Sequence, residues 1–137
     1  MPSLDSTLFP LWLVQALCAL FLAITFLQSG LDKVTDWKGN LGWLTGHFSK
    51  SPLRGVVTPM LLSLTLLELS SGAVSAAGLV PLVLSGSTRL AMVGAALSGL
   101  AFVALFFGQR MAKDYAGAAG LVPYFLVSLV ALLAMHG

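Results

Sequence analysis

The chain has 137 residues, of which 58% are hydrophobic and only 9% charged, against roughly 25% charged residues in an ordinary soluble domain. A water-soluble fold of this length cannot hide that much apolar surface, so lipid is the implied solvent. Formal net charge is +2, and the seven basic residues are scattered through the connections without the clustering or aromatic interleaving of a nucleic-acid surface, so no nucleic-acid partner is expected.

The apolar residues fall into four blocks, 8–26, 56–78, 90–107 and 116–135, rather than at amphipathic spacing. Each is near the roughly 20 residues that cross a hydrocarbon core about 30 Å thick. The expected fold class is therefore all-α, a polytopic membrane four-helix bundle forming one domain over 1–137, with helices at 8–28, 52–78, 89–108 and 116–136. The first block lacks the basic flank and small-residue cleavage site of a signal peptide and is expected to remain as an anchor. Cys18 is the only cysteine, which excludes an intrachain disulfide and a Cys-x-x-Cys redox pair.

Between the first two blocks, Trp37, Leu41, Trp43, Leu44 and Phe48 alternate with Lys38, Asn40, His47 and Lys50. This pattern predicts a short interfacial helix over 37–48 with its rings at head-group level; an irregular loop carrying an aromatic belt is the alternative. Ser51-Pro52 reads as an N-cap followed by a first-turn proline, which would start the second helix near Pro52. The far end of that helix is ambiguous, because 79–84 stays apolar and Pro81 is either a kink or the start of a turn.

Lys33, Lys38, Lys50, Arg54, Arg110 and Lys113 fall in the two connections on one side, leaving Arg89 alone on the other. The positive-inside rule then puts those connections in the cytoplasm and both termini on the periplasmic side.

Glu68 is the one ionisable side chain deep inside a block, where a bare charge costs several kcal/mol, so it needs a partner or a proton. If the second helix ends near Gly78, then Gln15, Ser98 and Ser128 lie at similar depth, and the four helices contribute one polar side chain each to a common layer. If the helix continues to Leu84, Glu68 moves toward the midplane and its alignment with Gln15 weakens. Such a layer either fixes helix register or serves as a proton or ligand site. The small residues around it, Ser70 to Ala73 and Gly94 to Gly99, predict closely packed backbones.

A second polar cluster is expected on the cytoplasmic face, where Gln28, Asp32 and Lys33 can meet Gln109, Arg110, Lys113, Asp114 and Tyr115. The pairs Asp32 with Arg110 and Lys33 with Asp114 would tie the two connections together, each worth about 0 to 1 kcal/mol if exposed. His47 and His136 fall on opposite sides and have no metal-ligand neighbours in sequence, so no metal or haem site is expected. No phosphate loop, nucleophile elbow or other autonomous catalytic motif is present.

Three stretches carry a family resemblance: Phe26-Leu27-Gln28-Ser29-Gly30-Leu31-Asp32-Lys33, the run from Glu68 to Gly72, and Gln109-Arg110-Met111-Ala112-Lys113-Asp114-Tyr115-Ala116. In order and spacing they resemble the DoxX family of small bacterial four-helix membrane proteins, over nearly the whole chain. The resemblance implies a bacterial inner-membrane location and, as in some relatives, association with quinone-linked redox complexes such as thiosulfate:quinone oxidoreductase. It singles out Lys33 and Glu68, then Arg110. With no cofactor ligands in the chain, the expectation is an accessory or quinone-contacting subunit of an oxidoreductase complex, with membrane lipids and other membrane subunits as partners and quinone or lipid at an interface. The alternatives are a small proton-coupled transporter using Glu68 and a purely structural, lipid-holding bundle.

Overall fold

The computed structural model describes residues 2–135, so the predicted last helix boundary at His136 lies outside the described residues. The described residues form six helical segments: α1 (Phe9–Thr35), α2 (Trp37–His47), α3 (Val57–Ser85), α4 (Arg89–Met111), α5 (Tyr115–Gly120) and α6 (Val122–Ala134). The spans are α1, α3, α4 and the α5–α6 pair, each long and apolar enough to cross a membrane. Around the bundle α1 packs on α3, α3 on α4, α4 on α6, and α6 back on α1.

Helix α1 starts with proline in its first turn, where a missing N–H removes no intrahelical bond. It runs seven residues beyond the expected end at Gln28. Ser29-Gly30 would ordinarily stop a helix, yet Gly30 faces Leu69 of α3 so closely that a β-carbon there would stand 2.6 Å from a Leu69 methyl. Tertiary packing outweighs the roughly 1 kcal/mol helix penalty of glycine. This extension brings Ser29 and Lys33 onto the helix, four residues apart and on one face.

Helix α2 fills most of the predicted interfacial segment and has no fully buried residue. The connection after it corrects one expectation: α3 does not begin near Pro52. Ser51 is buried, and its hydroxyl accepts from Leu53 N at 3.1 Å inside a series of single turns, Ser51 N to Phe48 O, Arg54 N to Ser51 O and Val56 N to Leu53 O. The serine organises a turn rather than capping a helix.

Helix α3 continues seven residues past Gly78, with Pro81 inside it. It ends where Gly86 takes φ 74, allowing Gly86 N to reach Leu82 O and Ser87 N to reach Pro81 O. Its 29 residues extend about 43 Å, so the helix exceeds an untilted hydrocarbon core. The expected single last helix is broken at Leu121, because Pro123 lies in the first turn of α6 and offers no N–H to the turn before it.

The centre of the bundle is made by Leu22 and Phe26 of α1, Ala95, Ala101 and Phe102 of α4, and Ala131 of α6, with the Phe26 and Phe102 rings 4.7 Å apart. Outward-facing Leu17, Ile24, Leu66, Val80, Leu100 and Leu133 are exposed, the reverse of a soluble protein and the arrangement lipid requires. At the helix crossings a β-carbon on Gly72 would stand 2.7 Å from Leu27 N, and one on Gly78 2.5 Å from Ala91 N. The small residues are therefore points of backbone approach.

The start of α1 and the end of α6 lie at one end of the bundle, where Trp12 Nε1 donates to Leu82 O at 3.0 Å and Gln15 Nε2 to Ala134 O at 2.7 Å. The opposite end, with α2 and the α4–α5 turn, carries six of the seven basic residues and is called the basic end below.

Candidate functional site

The buried face of α3 repeats as Leu61, Thr65, Glu68, Ser71, Gly72, Ser75, Gly78 and Leu82, so Glu68 is presented to the bundle by the same periodicity that buries the leucines. It is 1% exposed. Its partners come from the extended part of α1: Ser29 Oγ donates to Oε1 at 3.1 Å, and Lys33 Nζ lies 2.9 Å from Oε2. Lys33 also donates to Ser29 Oγ at 2.9 Å, closing a three-residue ring of contacts. The ammonium reaches Oε2 off the hydrogen-bonding direction, so among the described residues the ion pair is the only polar contact that oxygen has.

The expected common layer of Gln15, Glu68, Ser98 and Ser128 does not form one hydrogen-bonded unit. Ser98 Oγ donates to Gly94 O at 2.8 Å and Ser128 Oγ to Phe125 O at 2.6 Å, each within its own helix, while Gln15 serves the end of α6. The reason is the length of α3: Glu68 sits about 25 Å from the Ser85 end, whereas Gln15 is only about 9 Å from the start of α1.

The cluster expected at the basic end is regrouped. Lys33 turns inward to Glu68 instead of Asp114. Asp114 caps α5, with Oδ1 accepting from Gly117 N at 2.9 Å and Oδ2 lying 3.7 Å from His47 Nε2. Gln109 Oε1 accepts from that same His47 nitrogen at 2.7 Å. Arg110 stacks over Tyr115, 4.6 Å from the ring centroid, and makes no ion pair with Asp32 among the described residues. Gln28 and Asp32 are exposed on α1. Ser29 and His47 are the site residues that sequence reasoning missed. The signal for Ser29 was its spacing of four from Lys33; that for His47 was its place beside Trp43, on whose ring it stacks at 4.5 Å.

Lys33 also lines a cavity of about 450 Å³ between α2, α3 and α4. Trp43 and Leu44 of α2 and Phe48 after it form one wall; Met60, Leu64 and Leu67 of α3 and Leu105, Gly108 and Gln109 of α4 form the others. Phe48 is buried beside Gly108, where a β-carbon would touch its ring at 3.5 Å, and this holds the α2 connection against α4. The volume is that of a small-molecule pocket, and the walls are apolar apart from Lys33, Asn40, Ser63 and Gln109. Among the described residues that line it Lys33 is the one cation, backed by Glu68, which stays behind the cavity wall. Such an arrangement can hold an apolar tail or ring and donate a charged hydrogen bond to its oxygen. Among the described residues no three His, Cys, Asp or Glu side chains stand together to hold a metal.

No family model, curated protein or solved structure matches the chain.

Proposed function

We propose that this multi-pass membrane protein is a quinone-contacting accessory subunit of a bacterial membrane redox assembly. The observation that carries the reading is the apolar cavity of about 450 Å³ with Lys33 as the one cation among the described residues that line it. A quinone needs an apolar slot for its ring and tail and a donor for a ring carbonyl; Lys33, held by Ser29 and Glu68, supplies that donor without an uncompensated charge. The chain supplies no redox centre of its own in this reading, so electrons come from a partner subunit. The resemblance to DoxX proteins points to the same class of assembly and to the bacterial cytoplasmic membrane. The positive-inside rule places the basic end in the cytoplasm.

Native mass spectrometry after mild extraction from the source membrane tests the assembly directly. The expected result is recovery with a cofactor-bearing membrane subunit and with quinone; a lone, stable chain carrying neither counts against the reading. Single cysteines placed at Lys38 and at Ser87 should label from the cytoplasmic and periplasmic sides respectively, and the reverse pattern would overturn the orientation.

A further inference from the structure

We infer that the Lys33 cavity binds a second chemical class, a single-chain amphiphile with an anionic oxygen head, and that each such molecule enters together with one proton taken up by Glu68. The inference deepens the use of the cavity proposed above, and it stands on the Lys33–Glu68 geometry.

Glu68 is 1% exposed and, among the described residues, has no polar partners beyond Ser29 and Lys33. Oε2 depends on the ammonium alone, and that contact is off the hydrogen-bonding direction. Lys33 has two neighbours to choose between, because its side chain, 14% exposed, also reaches the cavity that Glu68 does not line. With the carboxylate ionised, the pair is neutral and the cavity offers no net charge to an anion. An anionic oxygen that takes the ammonium leaves a carboxylate inside the membrane span with one hydroxyl contact, a state of high cost. Protonation of Glu68 removes that cost: the proton neutralises the carboxylate, Ser29 still donates to Oε1, and Lys33 is left as a free cation facing the cavity. The charge balance is one anion and one proton in, with the net charge of the site unchanged. A neutral carbonyl head needs no such exchange, since it can accept from Lys33 while the pair persists.

Among the described residues the charged side chain in contact with Glu68 is Lys33. On α1, Lys33 faces it and Asp32 is exposed; on α2, Lys38 is exposed and His47 is engaged by Gln109 and Asp114; on α4, Arg110 lies over Tyr115 and Arg89 is at the other end of the bundle. The cavity volume suits one chain rather than two, which favours a free amphiphile over a diacyl lipid.

The test uses the intact chain in zwitterionic nanodiscs with two probes, a long-chain alkanesulfonate, whose head does not titrate, and a short-tailed ubiquinone analogue. A pH-sensitive dye in weak buffer reads proton movement on the wild-type protein, so no variant has to fold. The expected result is uptake of about one proton per bound sulfonate and none per bound quinone. Sulfonate affinity should fall as pH rises, approaching roughly tenfold per unit. Glu68→Gln should bind sulfonate with no proton uptake and no pH dependence, and Lys33→Gln should lose it. Sulfonate binding without proton uptake, uptake that persists in Glu68→Gln, or no sulfonate binding overturns the inference. Quinone binding with no sulfonate binding leaves the quinone reading standing alone; the converse leaves this inference standing and removes the quinone. Sulfonate binding lost only in discs of anionic lipid assigns the anionic head to the bilayer's own lipid and overturns the single-chain assignment.

Discussion

A carboxylate inside a membrane span and an ammonium two residues from a helix end can each be tolerated only through the other. Coulomb attraction and the Ser29 bridge offset a desolvation cost of several kcal/mol, and removing one partner leaves that cost exposed. Lys33→Met and Glu68→Leu should each destabilise the bundle by about 3 kcal/mol, whereas the double variant should recover most of the loss. Unfolding in mixed micelles with increasing dodecyl sulfate measures this cycle, and additive losses would show that the pair is not coupled. Lys113 offers a second single-residue prediction. It takes φ 61 at the end of α4, where its N–H reaches Arg110 O, a conformation that favours glycine. Lys113→Gly should stabilise by about 1 kcal/mol, read in the same assay. Glu68 was legible in the sequence because a lone charge in an apolar block stands out. Its partners were not, because Ser29-Gly30 reads as a helix stop, and only the approach of Gly30 to Leu69 keeps α1 helical as far as Lys33.

Among the elements, the glycines divide by what they face. Gly78 meets the backbone of Ala91 and Gly72 that of Leu27, whereas Gly46 on α2 has open space around its α-carbon. Gly78→Ala should therefore destabilise by about 1 to 3 kcal/mol through overpacking. Gly46→Ala should stabilise α2 by up to about 1 kcal/mol through helix propensity alone. Thermal unfolding followed by circular dichroism distinguishes the two, and equal effects would mean that the α3–α4 crossing is not set by glycine. The existence of the four spans was legible because length and hydropathy decide it. Their ends were not: Ser51 looks like a cap but makes a turn, Pro81 reads equally as a kink or the start of a turn and sits within α3, and Pro123 breaks a helix that hydropathy alone reads as continuous.

At the scale of the whole molecule, the order of α1, α3, α4 and α6 around the bundle puts the start of α1 and the end of α6 on one side and gathers six of the seven basic residues on the other. The resulting asymmetry followed from block spacing and was readable in advance. The cavity was not, since it exists only because Phe48 carries the end of α2 back onto Gly108 and because Lys33 remains on the helix to meet it. Phe48→Ala should loosen this wall and weaken quinone binding by at least about tenfold while the four spans stay folded, a combination that binding and circular dichroism report together.

The most direct test of the central claim is photolabelling with a short-tailed azido-quinone in nanodiscs, followed by peptide mapping. The predicted result is labelling confined to the cavity wall at Trp43, Leu44, Met60 and Leu64, lost in the folded Lys33→Met/Glu68→Leu variant. Labels spread over the lipid-facing residues of all four spans, and unchanged in that variant, would contradict it.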